Sequence, residues 1–248
     1  MTSILRSLVT ILFALCFSLP ALSNVESNSP SKEIKVQVQL KPWQKRRADF
    51  SKIIQGLREN SPSAKKDFDV VLTEFETRTL SRTPIENMEI LGVFYVPKDG
   101  MDAALSVIAM NAVLGWYDAL RFASESGRAE ITNNEGFFKK PIILGGTDTQ
   151  KKAVNFLENN PERVAQLLAI GMSLAEKFRE AASYDRLWVT AYGMEKYICG
   201  TGGSCEPPRA LPKEQWDSAW TEAKQRVTSY YTADKQPNAS GKPAQSSQ

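Results

Sequence analysis

The sequence contains no histidine among its 248 residues, and this absence excludes several kinds of chemistry. Neither a Ser-His-Asp triad nor a Cys-His pair can form without an imidazole. Zinc sites that use histidine are excluded as well, and the few cysteines cannot replace them. Any catalysis would have to depend on carboxylates, Lys, Tyr, Ser or Cys. We therefore expect a protein without catalytic residues, cofactor or metal.

Cysteine is scarce too, with three in the chain. Cys16 lies in the apolar leader described below, whereas Cys199 and Cys205 lie close together in CGTGGSC. Five intervening residues are not the C-x-x-C spacing of a redox-active dithiol. Because exported proteins work in an oxidising space, we expect Cys199 and Cys205 to form a disulfide that fixes the shape of this glycine-rich loop.

The chain also lacks a large excess of charge of either sign, since its net charge is only +3. Lysines and arginines are interspersed with aspartates and glutamates rather than collected in blocks. This pattern predicts neither a nucleic-acid surface nor a membrane-binding patch.

The N-terminus has the parts of a cleavable signal peptide. Arg6 precedes an apolar stretch that Pro20 interrupts, and small residues at positions 21 and 23 allow cleavage after Ser23. The apolar stretch is shorter than the roughly 20 residues that cross a bilayer. The sequence therefore predicts release into the periplasm or the medium, with no stable membrane anchor.

The rest of the chain reads as an all-α protein with about eight helices around a buried central helix. The predicted organisation is a signal peptide (1–23), a flexible or extended arm (24–42), a helical domain (43–231) and a disordered polar tail (232–248). The arm contains the alternating sequence EIKVQVQLK, whose period of two is typical of a strand. Its possible strand partners are Gly92–Val96 or Pro141–Leu144. Otherwise the arm lies extended against helices or adds to the sheet of another protein.

Helix boundaries follow from capping residues. Ser61 and Pro62 indicate the start of one helix, and Thr83-Pro84-Ile85-Glu86 combines a first-turn proline with a capping box. The second of these helices should end at Pro97, Asp99 and Gly100. The next, Met101 to Ala123, is apolar on nearly all sides, as expected for a helix surrounded by others. A further helix is predicted for Tyr184–Ile198.

Polar residues on the central helix are the first candidate site. Asn111, Asp118 and Arg121 share one stripe of the helix, beside Trp116 and Tyr117. They form either the floor of a binding pocket or a buried ion pair with a hydrogen-bonded Asn that fixes helix register. A second candidate mixes aromatic and charged residues at Tyr184, Asp185, Arg186 and Trp188. These residues are either structural, with Asp185 capping a helix and Arg186 reaching a carboxylate, or the anchors of a protein interface, where such residue types are favoured.

Four segments together resemble a known group of proteins: TPIENMEILGVFYVPKDG, GWYDALRFAS, SYDRLWVTAYGMEKYICG and WDSAWTEAKQRVTSYY. They are similar to small periplasmic proteins associated with type VI secretion effectors, including immunity proteins. The resemblance covers about residues 82–231 and carries no functional residues over. It implies a protein partner, namely a cognate toxin that attacks the envelope and is neutralised by binding.

Two other functions stay open. Carboxylate pairs such as Glu74–Glu76 or Glu86–Glu89 could serve a hydrolase of envelope polymers, which would need two acidic side chains facing each other across a cleft. Alternatively, the apolar central helix could line a cavity for a small molecule or lipid. The oligomeric state is left open by the sequence.

Overall fold

The computed structural model describes residues 40–122, 128, 131, 136–192 and 209–232. These residues belong to one compact unit that begins at Leu40. The predicted signal peptide, the strand-like arm before Leu40, the disulfide between Cys199 and Cys205, and the tail after Thr232 lie outside the described residues.

The described part of the chain is all-α, which confirms the predicted fold class, and it contains no strand. Its α-helices are α1 (Pro42–Arg58), α2 (Pro62–Arg78), α3 (Pro84–Ile90), α4 (Val96–Phe122), α5 (Gly136–Leu144), α6 (Gly146–Asn159), α7 (Pro161–Phe178) and α8 (Trp216–Thr232). Short 3₁₀ segments cover Thr79–Ser81, Arg186–Ala191 and Lys213–Gln215.

Two helices begin as the capping residues predict. The Ser61 side chain accepts a hydrogen bond from the backbone N–H of Ala64, with Pro62 in the first turn of α2. The backbone N–H and the hydroxyl of Thr83 both donate to Glu86 Oε2 at 2.8 Å, so the capping box at the start of α3 forms.

Helix α4 is the centre of the fold, as predicted, and its residues from Ile108 to Arg121 are all buried. Helix α7 crosses it closely because Gly171 has no side chain. A Cβ at this position would lie 2.6 Å from Ala109 Cβ and 2.6 Å from the carbonyl oxygen of Ser106. The glycine therefore sets the distance between the two helices.

The predicted boundary before Met101 is confirmed. From Pro84 the chain continues through α3, a π-helical segment, Leu91–Tyr95, and the first residues of α4 as far as Asp99, and Gly100 then separates this stretch from the helix that begins at Met101. Only Gly100 interrupts the helix, with φ 80° and ψ 177°, a conformation that favours glycine.

The two proposed strand partners, Gly92–Val96 and Pro141–Leu144, are wrong as strands because both are helical. They pack against each other: a Cβ on Gly92 would lie 2.7 Å from Pro141 Cα. Helix-to-helix packing at this glycine thus outweighs the β-propensity of the Val, Ile and aromatic residues around it.

The α-helix predicted for Tyr184–Ile198 is also wrong over its described part, which forms the 3₁₀ segment Arg186–Ala191. Asp185 Oδ1 accepts from the backbone N–H of Leu187 at 3.0 Å. The backbone N–H of Trp188 donates to the backbone carbonyl of Asp185. Asp185 thus caps the start of the 3₁₀ segment, which ends at Ala191 before an extended Tyr192. Residues 193–198 lie outside the described part.

The helical stretch Pro84–Phe122 contains an 18-residue window with a mean hydropathy of 1.4, which is long and apolar enough to cross a membrane, yet 83% of this window is buried within the fold. This burial identifies it as the core of the helical unit.

Candidate functional site

Asp118 is the centre of a buried polar cluster, which we call the Asp118 hub: Asp118, Arg121, Tyr184, Arg186 and Trp188. The carboxylate is fully buried. Tyr184 Oη donates to its Oδ2 at 2.7 Å and Trp188 Nε1 donates to the same oxygen at 3.0 Å. On the other oxygen, Arg121 Nη2 donates to Oδ1 at 2.9 Å and Arg186 Nη1 lies at 3.4 Å. The two predicted candidate groups therefore meet at one carboxylate.

Burial raises the pKa of Asp118, against the opposing effects of Arg186, Arg121 and the hydrogen bonds from Tyr184 and Trp188. The desolvation of the carboxylate thus outweighs its attraction to the two guanidinium groups. Such a cluster adds little net stability compared with apolar residues, although losing one partner is costly.

Arg121 is held by aromatic rings as well as by Asp118. Its guanidinium carbon lies 3.7 Å from the ring centre of Tyr117, 4.6 Å from that of Phe122 and 4.7 Å from that of Trp216. Within the described residues, its Nε has no hydrogen-bond partner. Stacking of a desolvated arginine on aromatic faces is worth about 2 kcal/mol at such sites.

The hub also holds both chain segments that border residues 193–208. On one side are Tyr184, Arg186 and Trp188, which all reach Asp118. On the other side, Leu211 N–H donates to the carbonyl oxygen of Arg121 at 2.8 Å, and Trp216 Nε1 donates to the Leu211 carbonyl at 2.9 Å. The end of α4 thus holds both Tyr184–Trp188 and Leu211, which lie on either side of this range in sequence.

Most of the other predicted site residues contact side chains of neighbouring helices. Asn87 Nδ2 donates to Asn111 Oδ1 at 2.8 Å, which ties α3 to α4. Tyr117 Oη accepts from Arg179 Nη2 at 2.9 Å, and Trp116 is buried beneath the Arg226 guanidinium. Asp185 is the exception, since it is exposed and pairs with Lys41 at 3.1 Å. Asp118 and Arg121 thus form the buried ion pair rather than a pocket floor.

An open surface site lies elsewhere, along α1. Two clefts share Ser51 in their walls, and we call them together the α1 groove. The first, of about 340 Å³, is lined by Trp43, Gln44, Arg47, Ala48, Ser51, Ala191 and Tyr192. The second, of about 630 Å³, is lined by Phe50, Ser51, Ile54, Gln55, Leu57, Arg58, Glu89, Val93 and Leu144. Both clefts mix apolar and polar side chains, and the larger apolar ones, Phe50, Ile54, Leu57, Val93 and Leu144, line the second.

A partly exposed ion cluster connects the two clefts. Arg47 Nε and Nη2 donate to the two carboxylate oxygens of Glu89 at 3.0 Å and 2.5 Å. Arg47 Nη1 also donates to Tyr192 Oη at 2.8 Å, and Lys140 Nζ reaches Glu89 Oε1 at 3.2 Å. Burial raises the pKa of Tyr192, so its phenol keeps its proton at neutral pH. The cluster presents planar, ordered hydrogen-bonding groups at the centre of the groove.

Trp43 borders the same groove and is buried except for 3% of its surface. Among the described residues its indole Nε1 has no hydrogen-bond partner. A buried donor without an acceptor costs about 1–3 kcal/mol. This differs from Trp188 in the Asp118 hub, whose indole N–H is bonded to a carboxylate.

The sequence analysis missed the α1 groove, although α1 carries a usable signal. Five basic residues and one acidic residue occur within Pro42–Arg58 (PWQKRRADFSKIIQGLR), a local excess that the balanced composition of the whole chain conceals. Buried aromatics at Trp43 and Phe50 belong to the same helix.

The residues that line the clefts bear on the two other functions, a carboxylate-dependent hydrolase and a small-molecule or lipid-binding protein. None of the three described clefts is lined by two carboxylates, and none includes a residue of the central helix from Met101 onward. Within the described residues there is also no group of three or more His, Cys, Asp or Glu side chains arranged to hold a metal ion.

Comparison with known proteins finds no matching family model, no matching curated protein and no matching solved structure.

Proposed function

We propose that this chain is an exported, non-enzymatic binding protein that holds a protein partner in its α1 groove. The supporting observation is the groove itself, which combines apolar walls with an ordered arginine, tyrosine and glutamate cluster. Tyrosine, tryptophan and arginine are the residues that most often dominate the energy of protein interfaces.

Charge indicates what the partner presents. The residues lining the groove include Arg47 and Arg58 against a single carboxylate, Glu89, which Lys140 also contacts. Opposite charge across an interface speeds association and suppresses wrong partners. We therefore expect a partner segment with apolar side chains flanked by acidic ones.

The surroundings of the carboxylates favour binding over hydrolysis. A glycosidase needs two carboxyl groups about 5–10 Å apart across an open site. Asp118 is fully buried, and Glu86 accepts two hydrogen bonds from Arg46, at 2.7 Å and 3.0 Å, with only 3% of its side chain exposed. Glu89 is held by Arg47 and Lys140. Asp118 and Glu86 thus hold the fold together, and no second carboxylate lines the cleft that contains Glu89.

Export and toxin neutralisation are the finer parts of the proposal. Export depends on the leader sequence of residues 1–23, and neutralisation depends on the resemblance to periplasmic immunity proteins. From the leader and the resemblance together, we infer that the partner is an envelope-targeting toxin encoded beside this gene.

Growth protection tests the proposal. The product of the neighbouring gene is directed to the periplasm of a test bacterium that expresses the full chain or a chain without residues 2–23. We expect the full chain to restore growth and the leaderless chain to fail. If neither the full chain nor an added purified protein changes growth, the immunity function is wrong.

A matched pair of charge reversals tests the groove. Arg58→Glu changes an exposed residue of the groove, whereas Lys152→Glu changes an exposed cation on α6 that lines none of the three clefts. We expect Arg58→Glu to weaken protection and Lys152→Glu to leave it unchanged. Equal effects would contradict the assignment of binding to the α1 groove.

A further inference from the structure

The first cleft of the α1 groove differs in charge from the other clefts of the described residues. It is lined by a cation, Arg47, and by no carboxylate. The second cleft contains Glu89 beside Arg58. The third cleft, of about 690 Å³ between α5, α6, the start of α7 and the end of α8, contains Glu158 beside Lys139. The first cleft therefore favours a ligand that carries negative charge.

Hydrogen-bond donors in the wall of this cleft lack acceptors. Trp43 is buried except for 3% of its surface, and its indole N–H has no acceptor among the described residues. Tyr192 Oη accepts from Arg47 Nη1 at 2.8 Å, but no described residue accepts the proton of its hydroxyl. Arg47 also keeps N–H groups beyond those that bond Glu89 and Tyr192. Because donors without acceptors are unfavourable when buried, a ligand that brings acceptors is stabilised here.

The N-terminus of α1 adds partial positive charge at one end of the cleft. Trp43 and Gln44 lie in the first turn, where backbone N–H groups have no helical partner, and both line the cleft. No acidic residue lies in this turn. Asp185 pairs with Lys41 at 3.1 Å and does not line the cleft. An anion in the cleft is therefore favoured by the helix as well as by Arg47.

The ion cluster beside the cleft has one positive charge in excess. Arg47 Nε lies 3.0 Å from Glu89 Oε2, and Lys140 Nζ lies 3.2 Å from Glu89 Oε1. Since these two cations share one carboxylate, a second carboxylate would neutralise the cluster. The cleft volume of about 340 Å³ is at the lower end of the range for small-molecule pockets, so it fits one acidic side chain better than a larger ligand.

We propose that the first cleft of the α1 groove binds a carboxylate, supplied by an aspartate or glutamate side chain of the protein partner. This carboxylate accepts from the Tyr192 hydroxyl and from Arg47, next to the indole of Trp43. The source of the carboxylate rests on the proposed function. The site itself belongs to this chain alone, so it can be tested without the partner.

Titration of the purified protein with propionate, followed by ¹⁵N NMR, tests the site. We expect the indole N–H signal of Trp43, assigned with Trp43→Phe, to shift saturably at millimolar propionate. Propionamide has nearly the same shape without the charge and should give no saturable shift. Tyr192→Phe should weaken propionate binding at least about tenfold. Tyr95→Phe is the matched control, because the Tyr95 hydroxyl bonds Glu76 outside all three clefts, and it should leave binding unchanged.

Absence of a saturable propionate shift would overturn the carboxylate site, as would equal binding of propionamide or equal effects of Tyr192→Phe and Tyr95→Phe. Circular dichroism confirms that each variant is folded.

Double-mutant cycles with the product of the neighbouring gene test the source of the carboxylate. Each aspartate or glutamate of that product is changed to its amide, and affinity is measured for the wild-type chain and for Tyr192→Phe. We expect one acidic residue for which each single change weakens binding at least about tenfold and the two together weaken it little more than either alone.

The outcomes separate this proposal from the proposed function. A product that binds without any such residue overturns the acidic side chain as the ligand and leaves the binding function in place. A product that does not bind overturns the proposed function and this source together, and the propionate titration then decides the carboxylate site by itself.

Discussion

The Asp118 hub and the Arg47–Glu89 cluster of the α1 groove use the same residue types in different surroundings. Each places a carboxylate among arginine and tyrosine side chains, but Asp118 is fully buried whereas the side chain of Glu89 keeps 13% and that of Arg47 26% of its surface exposed. In the hub, the carboxylate of Asp118 accepts from four donor side chains. The groove cluster keeps one edge toward solvent. The same residue types therefore organise the core in one region and stay partly exposed to solvent in the other.

The largest expected effect is on the hub. Asp118→Asn is nearly isosteric, so it creates no cavity. It leaves the buried Arg121, and Arg186 with 20% of its side chain exposed, without their carboxylate. We expect a loss of about 3–5 kcal/mol in the free energy of unfolding, measured by urea denaturation. Asp217→Asn is the matched control, because Asp217 also pairs with an arginine, Arg179 at 2.9 Å, but its side chain is 92% exposed. Its loss should stay within about 1 kcal/mol.

The structural role assigned to the Asp118 hub would be wrong if Asp118→Asn and Asp217→Asn were equally stable. It would also fail if Asp118→Asn were as stable as the wild type, since the buried guanidinium groups would then have another partner.

Two buried tryptophans provide the next comparison. Trp188→Phe removes an N–H that donates to Asp118 at 3.0 Å, whereas Trp43→Phe removes an N–H without a partner among the described residues. Both changes lose similar volume. We expect Trp188→Phe to lower the free energy of unfolding by about 1.5–3 kcal/mol more than Trp43→Phe does. Thermal and chemical denaturation of the two variants measure the difference. Equal losses would show that Trp43 is bonded in solution.

The smallest stability effect is expected in the groove cluster. Glu89→Gln leaves Arg47 and Lys140 without their carboxylate, but both are partly exposed and can turn toward water. The expected loss is about 1 kcal/mol, again by urea denaturation. A loss as large as that of Asp118→Asn would place Glu89 with the structural hub and remove the difference between the two regions.

Much of the fold could be predicted because local signals carry it. Pro62, the Thr83–Glu86 capping box and the apolar run of α4 each act within one or two turns of helix, so they are visible in sequence. The errors arose where distant contacts decide. Gly92 packs on Pro141, and the 3₁₀ segment at Arg186 forms where Tyr184 and Trp188 reach Asp118 across the core.

The site was harder to predict for a related reason. Asp118, Arg121 and Tyr184 attract attention because polar residues in apolar surroundings stand out, but such residues are as suited to a buried ion pair as to a pocket. The α1 groove depends on how α1 faces Glu89 of α3 and Val93 of the π-helical segment, 31 residues or more away in sequence. Only the basic excess of α1 is local, and charge by itself does not reveal a groove.

The most direct test of the account is the affinity of purified chain for the product of the neighbouring gene, measured by calorimetry at low and high salt. The account predicts tight binding that weakens with salt, a loss of at least about tenfold in Arg58→Glu, and no change in Lys152→Glu. Absence of binding, or binding that Arg58→Glu leaves unchanged, would contradict the conclusion that the α1 groove holds an acidic protein partner.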